Sequence, residues 1–138
     1  VFKTFYKYKY LSKHKITSDI PSGLFLNVDK MCFQSIAVNL LENAVKYSPE
    51  NTAITVSLRE KENKVIFSIK DEGAGIADEE KQKVFDKFYR IGNEETRTTK
   101  GTGLGLYIVK QLIEKQRGTI EVKNNSPKGS IFEVTFEK

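Results

Sequence analysis

Residues 53–70, AITVSLREKENKVIFSIK, alternate so regularly that they leave the chain few folds to choose from. Ile54, Val56 and Leu58 fall on one side of the first run, and Val65, Phe67 and Ile69 fall on one side of the second. The polar tripeptide KEN between them supplies a turn, so the pattern is an antiparallel hairpin. One face of a sheet must therefore be buried, and other segments have to cover it.

Three segments have helical spacing. Asp29 is a natural N-cap for a helix running to Tyr47, with Phe33, Ile36 or Ala37, Leu40 or Leu41, and Ala44 on one stripe, and SPEN stops it. Asp78 can cap a second helix through about Arg90 that carries Val84, Phe85 and Phe88. A third places Leu104, Ile108 and Leu112 four apart and ends near Gly118, a residue suited to a left-handed C-terminus. Two strands, GTIEVKN and SIFEVTFEK, close the chain around NSPKG, with Phe132, Val134 and Phe136 alternating. Upstream, HKITSDIPSG and LFLNV read as short strands about a Pro-Gly turn. Helices mixed with antiparallel strands, without regular βαβ alternation, predict a two-layer α+β sandwich. Its sheet is mixed but mostly antiparallel, with about five strands against about three helices.

The chain has 138 residues, enough for one domain, and its single cysteine, Cys32, excludes an internal disulfide and a cysteine metal cluster. A small apolar helix residue is the favoured reading of Cys32. No apolar run is long enough to span a bilayer. The net charge of +5 is uneven: Lys3, Lys7, Lys9, Lys13 and Lys15 interleave with Phe2, Phe5, Tyr6, Tyr8 and Tyr10. That mixture raises the possibility of a nucleic-acid-binding module, but a lysine-solvated segment with half-buried tyrosines is the preferred reading.

Residues 101–110, GTGLGLYIVK, put three glycines just before a helix, where backbone can approach a phosphate closely. The familiar phosphate loops do not fit. No G-x-x-x-x-G-K-[ST] occurs, Asp78 stands where a dinucleotide fingerprint would need its third glycine, and the even spacing of Gly101, Gly103 and Gly105 is not that of a protein-kinase loop. The polar stretch IGNEETRTTKGT before them reads as a flexible loop.

Four segments in order, NLLENAVKYSP (39–49), DEGAGI (71–76), VFDKFYR (84–90) and GTGLGL (101–106), resemble the N, G1, F and G2 boxes of the ATP-binding domain of sensor histidine kinases. That domain has the Bergerat fold, shared with type II topoisomerases, mismatch-repair ATPases and large heat-shock chaperones. The resemblance covers about residues 29–138. It implies residues 1–23 as a linker from a dimerisation domain plus a first strand, and residues 24–138 as the catalytic domain.

The resemblance also implies a nucleotide site. Asn39, Asn43, Lys46 and Tyr47 come from the N box, and Asp71, Gly73, Gly75 and Ile76 from G1. Tyr89 and Arg90 come from the F box, and Lys100, Gly101, Thr102, Gly103, Leu104, Gly105 and Leu106 from G2. Asn43 and Asn39, four apart on one helix face, would ligate Mg2+ bridging the phosphates. Lys46 would offset phosphate charge, Tyr47 would flank the nucleotide, and Asp71 would accept from the adenine amino group. Arg90 would stabilise charge on the departing phosphoryl group, with Lys100 or Arg97 assisting. At least one of Phe85 and Phe88 is expected in the core. Glu42 could orient water or the acceptor, or pair with Lys46.

The implied chemistry is transfer of the γ-phosphoryl of ATP to a histidine, then to an aspartate of a response regulator. The family's acceptor histidine, usually followed by Glu or Asp, lies on a separate helical dimerisation domain. The only histidine here, His14, precedes Lys15 and is not expected to be the acceptor. The chain is thus expected to be a cytoplasmic catalytic domain unable to autophosphorylate alone, reaching a membrane only through segments outside it and binding no nucleic acid. The alternatives are a serine kinase of the anti-sigma type, another ATPase on the same fold, and the nucleic-acid module. The glycines of 101–105 are expected to hinge a lid over ATP, anchored by Leu104 and Ile108.

Overall fold

The computed structural model describes residues 13–89 and 105–138. Its elements, in chain order, are β1 (Lys15–Asp19), α1 (Lys30–Tyr47), β2 (Ala53–Lys61), β3 (Lys64–Lys70), two single-turn 3-10 helices (Asp78–Glu80 and Lys83–Phe85), α2 (Gly105–Lys115), β4 (Thr119–Asn124) and β5 (Ser130–Glu137). The five strands form one sheet in the order β1-β2-β3-β5-β4. β1 pairs parallel with β2, and every other pairing is antiparallel. This is the expected α+β sandwich with its mixed, mostly antiparallel sheet.

The register explains the burial. Ile16 pairs with Ile54, Val56 with Ile69, Leu58 with Phe67, and Phe67 with Val134, so one face of the sheet is a continuous apolar surface. α1 and α2 lie side by side and cover it. Ile36, Leu40 and Ala44 of α1 are fully buried, and Phe33 meets the edge of Phe67 at 5.3 Å between ring centroids. α1 begins where expected: the Asp29 carboxylate accepts from the Cys32 amide at 3.0 Å, and Cys32 is a half-buried residue of the first turn. The other sheet face is polar, with Ser57 and Ser68 hydroxyls 2.5 Å apart and Glu133 between Arg59 and Lys123.

Four expectations are corrected. The strand pair before Asp29 is a single strand, β1; residues 24–28 carry no strand, with Leu26 and Val28 packed against the core and Phe25 exposed. The helix expected from Asp78 to about Arg90 is the two 3-10 turns, because Asp86 is already extended and Phe88 has φ +64°. α2 ends at Lys115 and its left-handed residue is Arg117 (φ +61°). Gly118 is needed for a different reason, since a Cβ there would lie 2.8 Å from the Phe136 ring. Finally, α2 is anchored by Val109 and Ile113, while Ile108, about 100° around the helix, is exposed. Leu104, the other expected anchor, lies outside the described residues.

Candidate functional site

α1 carries the first set of site residues. Positions 39, 43, 46 and 47 span about 100° of helix circumference, so Asn39, Asn43, Lys46 and Tyr47 share one side of α1, at the edge of its core stripe. The asparagines are half-buried, and Lys46 and Tyr47 are exposed at the C-terminal end. The Asn39 amide nitrogen donates to the Ser35 carbonyl at 2.7 Å. Its Oδ1 turns toward the start of α2, 3.7 Å from where a Cβ on Gly105 would sit.

Asp71 immediately follows β3 and is buried. Its main chain continues the sheet, with the amide donating to the Ser130 carbonyl at 2.9 Å. Carboxylate Oδ1 accepts from the amides of Gly73 (2.9 Å) and Ser130 (3.2 Å). These bonds favour the ionised form, yet burial outweighs them and holds the pKa above the ordinary carboxylate value. Among the described residues, Oδ2 has no partner beside these, which leaves one acceptor of a buried carboxylate for a ligand.

Glycine lets the following loop take its path. The backbone of Gly73 presses on the Tyr47 carbonyl, where a Cβ would overlap it, so the loop closes onto the end of α1. Gly75 has φ +80° and passes Gly129, whose carbonyl would be 3.3 Å from an added Cβ. Glu72 accepts from the Ala53 amide at 2.6 Å and ties the same loop to the start of β2.

A pocket forms where these parts converge. Asn43 and Tyr47 of α1, Asp71, Gly75 and Ile76 of the loop, and Leu106 of α2 line it, together with Ala74 and, from β5, Ser130 and Phe132. The structure therefore brings together six of the expected residues from three separate segments. It is apolar with one buried carboxylate, which suits a flat base bearing a polar edge.

Below the pocket, Phe85 is buried and packs edge-on against Phe132 at 6.2 Å, whereas Phe88 is exposed. Lys87 lies over Phe88 and Tyr107, and Lys110 lies over Phe85. Tyr89 does not line the pocket. Its hydroxyl donates to Glu80 at 2.6 Å, and that bond raises its pKa to about 12. His14 lies before β1, with Nε2 2.9 Å from the Ser48 carbonyl. Glu42 is half-buried on α1. Arg90, Arg97, Lys100, Gly101, Thr102, Gly103 and Leu104 lie outside the described residues, as does most of the basic aromatic segment.

Sequence reasoning missed Ala74, Asn125, Gly129, Ser130 and Phe132. The only signal for the β5 residues is the turn NSPKG followed by alternating aromatics, which marks a hairpin and says nothing of a ligand.

The family described as "Histidine kinase-, DNA gyrase B-, and HSP90-like ATPase" matches residues 28–138. Sensor protein KdpD of Clostridium acetobutylicum is 35% identical over 131 residues, covering 94% of this chain and 15% of the relative. Sensor protein CiaH of Streptococcus pneumoniae is 40% identical over 106 residues, covering 77% of this chain and 24% of the relative. The chain thus spans a quarter or less of the length of these curated relatives. Among solved structures, the catalytic domain of histidine kinase ThkA superposes with a TM-score of 0.84 at 27% identity, covering 99% of this chain and 88% of that one. A mycobacterial sensor histidine kinase, MprB, shares the fold with a TM-score of 0.84 at 24% identity, covering 99% and 90%. The chain belongs to the histidine kinase-, DNA gyrase B- and HSP90-like ATPase family.

Proposed function

We propose that this domain binds Mg-ATP in the pocket between α1, the Asp71 loop and α2, and donates the γ-phosphoryl group to a histidine on a dimerisation domain of the same full-length protein. The phosphoryl group then passes to a response-regulator aspartate. The observation that carries this reading is the buried Asp71 carboxylate, with Oδ1 saturated by two backbone amides and its other oxygen left for the exocyclic amine of adenine. The name of one fold neighbour, full-length ShkA in complex with AMPPNP, supports a nucleotide in this fold.

The base would lie over Ile76 and Phe132, and Tyr47 would flank the nucleotide from the exposed end of α1. Asn39 and Asn43 fit a hard divalent cation. Asn39 has its nitrogen occupied by Ser35, so its oxygen is the end presented to α2, and amide oxygens suit Mg2+ that keeps water and phosphate ligands. When bound, Mg2+ neutralises charge on the phosphates. Lys46 offsets further charge, Arg90 stabilises the leaving phosphoryl group, and the N-terminus of α2, which begins at Gly105, favours negative charge. Residues 1–23 would be the linker from the acceptor domain plus the first strand, β1. No described helix is long and apolar enough to cross a membrane.

The test is phosphorylation by γ-labelled ATP with Mg2+. The full-length protein should acquire acid-labile label on a histidine outside residues 1–138, while this chain alone acquires none. Label on His14 would overturn the assignment of the acceptor, and a full-length protein that binds ATP but labels no histidine would overturn the kinase reading.

A further inference from the structure

The β4–β5 turn reaches back to the residue that reads the base. Asn125 uses both ends of its side-chain amide. Oδ1 accepts from the Ser126 amide at 2.9 Å and shapes the turn, while Nδ2 donates to the Asp71 carbonyl at 2.8 Å, across 54 positions of sequence. The Asn125 main chain closes the same turn by donating to the Gly129 carbonyl at 3.0 Å. Asp71 lies one residue past the end of β3, where the ladder no longer holds its carbonyl, and the glycine loop follows directly. Asn125 supplies the missing partner.

We propose that Asn125 is a positioning residue for purine discrimination: by gripping the Asp71 main chain it fixes the carboxylate where Oδ2 meets a 6-amino group and opposes a 6-oxo group. This rests on the nucleotide-binding reading above. A 6-oxo purine presents an acceptor to a buried acceptor, and a rigid site cannot relieve that mismatch. A carboxylate released from Asn125 can retreat and admit water, so it loses affinity for adenine and tolerates the oxo group better. Asn125 itself touches no nucleotide.

The experiment compares binding of ATP and of ITP, each with Mg2+, to the wild type, Asn125→Asp and Asn125→Ala by titration calorimetry, with melting of the free proteins alongside. Asn125→Asp keeps the oxygen that accepts from Ser126 and replaces the donor to Asp71 by a charged acceptor, whereas Asn125→Ala removes both side-chain bonds without adding charge, so an effect common to the two reports the lost donor. The wild type should prefer ATP. Both variants should bind ATP about fivefold to tenfold more weakly, as expected for one lost hydrogen bond, and ITP less than twofold more weakly. The ATP/ITP ratio then collapses, an effect that mere loss of stability would not produce. A wild type that prefers ATP and variants that keep its ratio, or that weaken both nucleotides equally, would overturn the role of Asn125 alone. A wild type that binds both nucleotides equally would overturn the reading of Asp71 and this proposal with it.

Discussion

Gly129→Ala should be the most damaging single-methyl change near the site. Gly129 has φ +105°, and a Cβ there would sit 2.8 Å from the Asp71 carbonyl carbon, 2.9 Å from Glu72 Cα, and in overlap with the Asp71 carbonyl oxygen. All of these are main-chain atoms in the middle of the fold, so no side chain can swing aside. Gly23 is the matched control, with φ +79° and nothing within 4 Å of an added Cβ. Gly23→Ala therefore reports the cost of the backbone conformation alone, about 1 kcal/mol. Gly129→Ala adds forced repacking of two backbone segments, about 1–3 kcal/mol more, for a total of about 2–4 kcal/mol. At this chain length each kcal/mol moves the melting temperature by about 3–5 °C. Gly129→Ala should then melt roughly 6–20 °C below the wild type and Gly23→Ala roughly 3–5 °C below. Urea and thermal unfolding followed by far-ultraviolet circular dichroism measure both. Equal losses in the two variants would refute the claim that Gly129 is required by close approach to Asp71.

Two further outcomes follow from burial. Because burial raises the Asp71 pKa in the folded state, its ionised form is disfavoured by folding. Its favourable contribution is complete below the unfolded value of 3.8 and is lost as pH rises through the higher folded value. The free Asp71→Asn protein should therefore unfold at higher urea than the wild type at pH 7, with the gap closing as pH falls toward 4, even though nucleotide binding suffers. A gap that is absent at pH 7 or widens in acid would contradict the sign. Phe85→Ala should cost about 3–5 kcal/mol because it empties a site under Phe132, whereas Phe88→Ala, at an exposed position, should stay within about 0.5 kcal/mol. Comparable urea midpoints for the two would show that the packing beneath the pocket is misassigned.

The sequence made most of this architecture legible because its periods are strong. β2 and β5 alternate buried and less buried positions, β3 keeps that period at Val65, Phe67 and Ile69, and α1 combines a capping Asp29 with a stripe of buried residues, so local and tertiary preferences agree. The segment after Asp78 misled because Val84, Phe85 and Phe88 are too few to distinguish a helix from two tight turns. Its true course depends on Phe88 adopting a left-handed backbone, which side-chain spacing does not encode. Asp71 and Asn43 were legible through the order of the four boxes. Asn125, Gly129 and Ser130 were not, since their part is to touch Asp71, more than fifty residues earlier, and only the pairing of β3 with β5 brings them there.

Titration calorimetry of Mg-ATP into the wild type and Asp71→Ala tests the central claim most directly. The account predicts one bound nucleotide per wild-type chain and at least tenfold weaker binding in a folded Asp71→Ala protein, because the lost partner is a buried carboxylate. No binding to the wild type, or unchanged affinity in Asp71→Ala, would contradict it.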